Sequence, residues 1–159
     1  MNRETVLERM DTVRAELLMT ITGLDDATMT TLPVVGEWTI QAVFAHLAGW
    51  ATWHVGSIRS AQAGEQPLFS PLQNRDAFNE HLVEERSSWT MTAILDELES
   101  TRTALHELLD EMSEEDIFRV GYLQGPQWEN LAGWLRVIRE HEEEHAKQIR
   151  AWRTAVTMI

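Results

Sequence analysis

The sequence predicts an all-α protein, a four-helix bundle in one domain over residues 1–159. Three observations carry that expectation. Apolar residues recur at helical spacing through four long stretches, breaks rich in Gly and Pro separate them, and no stretch alternates convincingly as a strand. The length suffices to enclose one core, and 43% hydrophobic with 25% charged residues is ordinary for a globular chain.

The first helix is expected from about Glu4 to Thr22, where Val6, Met10, Val13, Leu17, Leu18 and Ile21 keep helical phase. Gly23 and then Asp25-Asp26 close it, and residues 31–37 form a connector broken by Pro33 and Gly36. Thr39 is a fit N-cap for a second helix to about Ala63, after which Gly64 to Pro71 reads as a loop. A third helical region starts near Gln73. Residues 87–90 interrupt it as a kink, and Thr90 recaps a helix to about Glu111. Ser113 begins a weak capping pattern on a short turn, Gly121, Gly125 and Pro126 mark a further loop, and Asn130 caps a final helix to about Thr154. Phe118 to Leu123 is too short, and too interrupted by Gly121, to count as a strand.

Charge and composition exclude several functions. With 26 acidic against 13 Lys or Arg residues, the net charge of −13 repels phosphate backbones and anionic lipid, so no nucleic acid and no membrane partner is expected. The absence of Cys rules out disulfides, thiolate ligands and a Cys nucleophile. The first 18 residues alternate charged and apolar groups, unlike a signal peptide or membrane span, so the expected location is the cytoplasm. Seven Trp against one Tyr fits a deep core, or else a cavity with aromatic walls.

The histidines are the chemically informative residues. At about 100° per residue, His145 lies roughly 40° from His141, and Trp134, Gln148 and Trp152 lie within roughly 20° of it. Arg136, Arg139, Lys147 and Arg150 fall on the opposite side, so the pair faces the core. On the second helix, Thr39, Val43, Trp50 and Trp53 lie within roughly 60° of His46. An i, i+4 histidine pair can chelate one ion, and a third imidazole from a facing helix leaves a coordination position open for substrate. The pair alone is equally compatible with hydrogen-bonded core histidines. His54, His81 and His106 read as surface or boundary residues, and Glu140 to Glu144 as a solvated face. His141 to His145 also spells H-E-x-x-H, the zinc-protease pattern. None of the 14 residues after His145 is His, Asp or Glu, however, so no third ligand follows and the match reads as coincidence.

Residues 37–50, Glu-Trp-Thr-Ile-Gln-Ala-Val-Phe-Ala-His-Leu-Ala-Gly-Trp, resemble the second-helix signature of DinB-like proteins. His141 and His145 match the HxxxH on that group's last helix, and Asp76-Ala77-Phe78-Asn79 resembles a subset of its members. The resemblance runs over essentially the whole chain. It implies a four-helix bundle of the DinB/YfiT-like type, often a homodimer, with a divalent metal ion, zinc or nickel first, on His46, His141 and His145. It also implies activities such as bacillithiol- or mycothiol-dependent S-transfer, maleylpyruvate isomerisation or metal-dependent hydrolysis. On that reading the chain is a metal-dependent transferase or hydrolase with a small-molecule substrate, possible co-substrate a low-molecular-weight thiol. Trp50 and Trp53 would wall the substrate pocket. No catalytic residue is assigned; Glu142 and Asn79 are candidates to orient the nucleophile or the imidazoles. The alternatives are a non-enzymatic stress or resistance protein that binds a small molecule, and a metal that is purely structural.

Overall fold

In a computed structural model, residues 1–65, 74–120 and 130–157 are described. Most of the expected Gly64 to Pro71 loop, the Gln73 helix start and the Gly121 to Pro126 loop lie outside the described residues. Among those described, four long helices dominate: α1 (Arg3–Met19), α3 (Ile40–Gln62), α5 (Met91–Glu111) and α7 (Leu131–Thr157). Three shorter ones accompany them: α2 (Asp26–Thr31), α4 (Arg75–Glu85) and α6 (Glu114–Phe118). The all-α expectation holds.

The helix starts follow capping chemistry. The side chains of Asn2, Asp25, Asn74, Thr90 and Ser113 each accept from the backbone N–H three residues on, meeting one donor that the first helical turn leaves open. The Thr39 hydroxyl likewise accepts from Ala42 N at 3.1 Å, as the sequence predicts. Two expectations need correction. The segment after α1 does not merely close that helix: Asp25 caps the separate helix α2. The following connector is not irregular either. Pro33–Val35 (β1) pairs antiparallel with Trp38–Thr39 (β2), turning at Gly36, whose φ of +58° favours a residue without Cβ. Strands this short give no alternation to read. The expected kink at residues 87–90 is a full break, where Arg86 ends α4 and Trp89 N bonds back to Arg86 O at 3.0 Å.

The chain divides into two compact units, Met1–Val43 with Ala132–Ile159, and Phe44–Leu131. In the first, α1 buries Val6, Leu7, Met10 and Leu17, and Arg14 shares that stripe. The Arg14 guanidinium grips the Glu142 carboxylate of α7 with Nη2 at 2.5 Å and Nε at 3.2 Å. Arg153 Nη1 donates to Thr20 O at 2.8 Å, joining the same two helices near their C-terminal ends.

In the second unit, one carboxylate links three helices. Glu97 of α5 accepts from Arg86 Nε and Nη2, each at 2.7 Å, and from Thr52 Oγ1 of α3 at 2.6 Å. Arg86 also donates to Leu82 O and lies under the Trp89 ring at 5.2 Å, so this 5% exposed guanidinium is fully engaged. Helices α3 and α4 meet at Gly49. A Cβ there would stand 2.6 Å from Leu82 Cδ2 and 2.9 Å from Leu82 Cβ, so the crossing requires glycine.

Candidate metal centre

Helix α7 presents His141 and His145 one turn apart because its buried stripe runs through Trp134, Leu135, Glu142, His145, Ala146 and Ile149. The two rings lie 4.8 Å apart between centroids, with Nε2 facing Nε2 at 3.1 Å. The other nitrogen of His145, Nδ1, lies 2.8 Å from Gln148 Oε1. An amide oxygen only accepts, so Nδ1 carries the proton and the Nε2 lone pair is turned toward His141. Burial pushes the His145 pKa below its usual value, against smaller opposing effects of Gln148 and the Glu144 charge, which favours the neutral ring a metal needs.

His46 lies on α3 within a run, Val43 to Trp50, in which every residue is buried, and is itself 3% exposed. The three histidines form a group: one ligand nitrogen from each lies within 4.8 Å of the others, a spacing that could hold a metal ion.

The remaining candidates divide into two sets. Trp50 is buried, and its Nε1 donates to Asn79 Oδ1 at 2.8 Å. Around it lie Trp53 at 5.5 Å and Phe78 at 4.9 Å, both edge-on, with His54 stacked at 5.5 Å. These residues therefore form one aromatic cluster with Asn79 as its polar anchor, beginning one turn beyond His46. His54, expected to be a plain boundary residue, belongs to that cluster, while His81 is exposed and His106 half-buried. Glu142 is 3% exposed and is held by Arg14 rather than facing solvent with its acidic neighbours.

Gln148 falls on the histidine face in the sequence, which by itself assigns it no role. Its spacing of three residues from His145 was the available signal, because residues three apart on a helix are neighbours. Arg14 was missed entirely. Its signal was a charged residue in phase with Val6, Met10 and Leu17.

Among the described residues, no helix is long and apolar enough to cross a membrane. No curated protein matches the chain. Several solved structures do match over nearly their full length. An uncharacterised protein from Escherichia coli UTI89 superposes with a TM-score of 0.84 at 11% identity, covering 98% of this chain and 95% of that one. DfsB, a sibling lethal factor precursor, gives 0.82 at 18% identity, with 98% and 96% covered. The colibactin self-resistance protein ClbS, solved in complex with double-stranded DNA, gives 0.81 at 9% identity, with 96% and 95% covered. At such identities the likeness is one of fold alone, a helical bundle. The DinB superfamily pattern itself matches residues 9–149, nearly the whole sequence, and the chain therefore belongs to the DinB superfamily.

Proposed function

We propose that this chain binds one divalent metal ion through His46, His141 and His145 and acts as a metal-dependent enzyme, of the thiol S-transferase or hydrolase type, on a small molecule. The observation that carries this reading is the approach of three imidazoles to within 4.8 Å. The donor set fits the group. Three nitrogens, two of them on the buried His46 and His145 and the latter with its tautomer set by Gln148, suit zinc or nickel and leave positions for substrate. When bound, such an ion supplies Lewis acidity that activates a water or a low-molecular-weight thiol near neutral pH.

The chain's own residues do the remaining work. Gln148 holds the proton at His145 Nδ1 and thereby aims Nε2. Trp50 and Trp53 offer an apolar wall beyond His46, and Asn79 fixes the Trp50 ring. Glu142 anchors the helix that bears two of the ligands through its pair with Arg14, a positioning role rather than proton transfer. On this reading the protein works as a homodimer in the cytoplasm, and its net charge of −13 opposes contact with the phosphates of nucleic acid or of a membrane surface.

Elemental analysis of the purified protein after zinc or nickel loading tests the site. One ion per chain is expected, with loss of stoichiometric metal in His46→Ala and in His145→Ala. A folded wild-type protein that takes up no stoichiometric metal sinks the proposal, as does a His46→Ala variant that retains it. A second reading, non-enzymatic binding of a small molecule in resistance or stress, draws support from the aromatic cluster and from the likeness in fold to ClbS, a self-resistance protein. Ligand quenching of Trp fluorescence that survives metal removal would favour it. A gel shift with double-stranded DNA examines the exclusion of nucleic acid, and a saturable complex at physiological salt would overturn that part.

A further inference from the structure

We propose that the unit containing α1 and α7 carries a second binding site, for a small organic monoanion: a carboxylate on a short apolar body. A cleft of about 450 Å³ lies between the C-terminal end of α1 and the last turns of α7. That volume falls within the range of small-ligand pockets. Arg150, Arg153, Thr154 and Thr157 line one wall at helical spacings that share a face, and Glu16, Met19 and Thr20 line the other.

The chemistry of the walls selects the ligand. Arg153 is half-buried and braced, with Nη1 committed to Thr20 O at 2.8 Å. A braced guanidinium loses little freedom when a carboxylate bonds to its remaining N–H groups. Arg150 stands one turn away on the same face and supplies the second cation. Two guanidinium groups against the single carboxylate of Glu16 leave a net charge of +1, which a monoanion neutralises. A dianion such as phosphate would exceed it, within a chain whose net charge is already −13. Met19 is 71% exposed and, with the alkyl stems of the two arginines, offers apolar surface for the body of the ligand. Cations near the end of α7 also suit its dipole, but that accounts for their charge and not for the cleft or the exposed methionine.

Isothermal titration of the intact protein with octanoate tests the site, with inorganic phosphate as the comparison. One saturable octanoate site is expected, weakened about tenfold or more in Arg150→Gln and tightened in Glu16→Gln, with no phosphate binding. Arg150 is exposed, so its substitution leaves folding intact. Arg153→Gln should weaken binding similarly, provided its circular dichroism matches wild type. His145→Ala should retain octanoate, which separates this cleft from a carboxylate held at the metal centre. The proposal is overturned by absence of saturable binding, by unchanged affinity in Arg150→Gln, by loss of binding in His145→Ala, or by phosphate binding as tightly as octanoate.

Discussion

Replacing Arg14 by Met is the most informative single perturbation of the ion pair beside the histidines. The change keeps most of the side-chain bulk on the buried stripe of α1 but removes the guanidinium that bonds Glu142 at 2.5 and 3.2 Å. It leaves behind a carboxylate only 4% exposed. Breaking a buried pair from one side costs about 3–5 kcal/mol, because the surviving charge stays desolvated. For a chain of this size each kcal/mol moves the melting temperature by about 2–4 °C, so a fall of ~6–20 °C is expected. The double variant Arg14→Met/Glu142→Met should recover most of the loss, since neither charge of the pair then remains. Thermal unfolding followed by circular dichroism, run as a double-mutant cycle, reads both quantities. A loss below about 1 kcal/mol in Arg14→Met, or no recovery in the double variant, would refute the reasoning that Glu142 is a structural anchor.

Three further outcomes are expected. Gly49→Ala should destabilise by about 1–2 kcal/mol in denaturant unfolding, because the clash with Leu82 outweighs the helix preference for Ala, and Leu82→Ala should partly relieve it. Gln148→Ala frees the His145 tautomer and should weaken zinc or nickel affinity by about 10–100-fold in competition titrations, with little change in secondary structure. The Glu97 carboxyl is raised by burial, but hydrogen bonds from Arg86 and Thr52 outweigh this and leave its pKa lowered. A lowered folded-state value contributes stability above the unfolded carboxyl pKa, lost as pH falls through the folded one. Wild type should therefore lose stability below about pH 4.5, and the acid limb should flatten in Glu97→Gln; an unchanged limb would contradict the assignment.

Much of this molecule was legible because helices write their packing into sequence. The stripes of α1, α3, α5 and α7 were visible as apolar residues at helical spacing, and the histidines were visible because they fall on those stripes. Thr39 and Thr90 announced helix starts by local chemistry alone. What escaped was either too short or too distant. The six residues of α2 and the two strands of the hairpin hold no period to detect, although the Asp25 and Thr28 spacing was an available cap signal. Arg14 and Glu142 are 128 positions apart, and nothing local pairs them. Glu142 read as one of a solvated acidic run because its neighbours are charged; only its phase on α7 distinguished it. Asn79 was noticed for its chemistry, but its bond to the Trp50 indole depends on how α4 crosses α3, which no motif encodes.

The carboxylate shared by Arg86 and Thr52 also constrains the history of this chain. Its two partners reside on different segments, and the two charges cannot drift alone: losing the acid leaves the buried Arg86 guanidinium short of its main acceptor, and losing the base leaves the half-buried acid short of its cation, while the exposed Thr52 hydroxyl can turn to water. Related sequences should thus keep positions 86 and 97 as a pair or exchange them together for apolar residues, with position 52 freer to vary. Intermediates that carry one change of the two should be rare, making the pair a slow-evolving lock whose covariation can be read once kin of this chain are aligned.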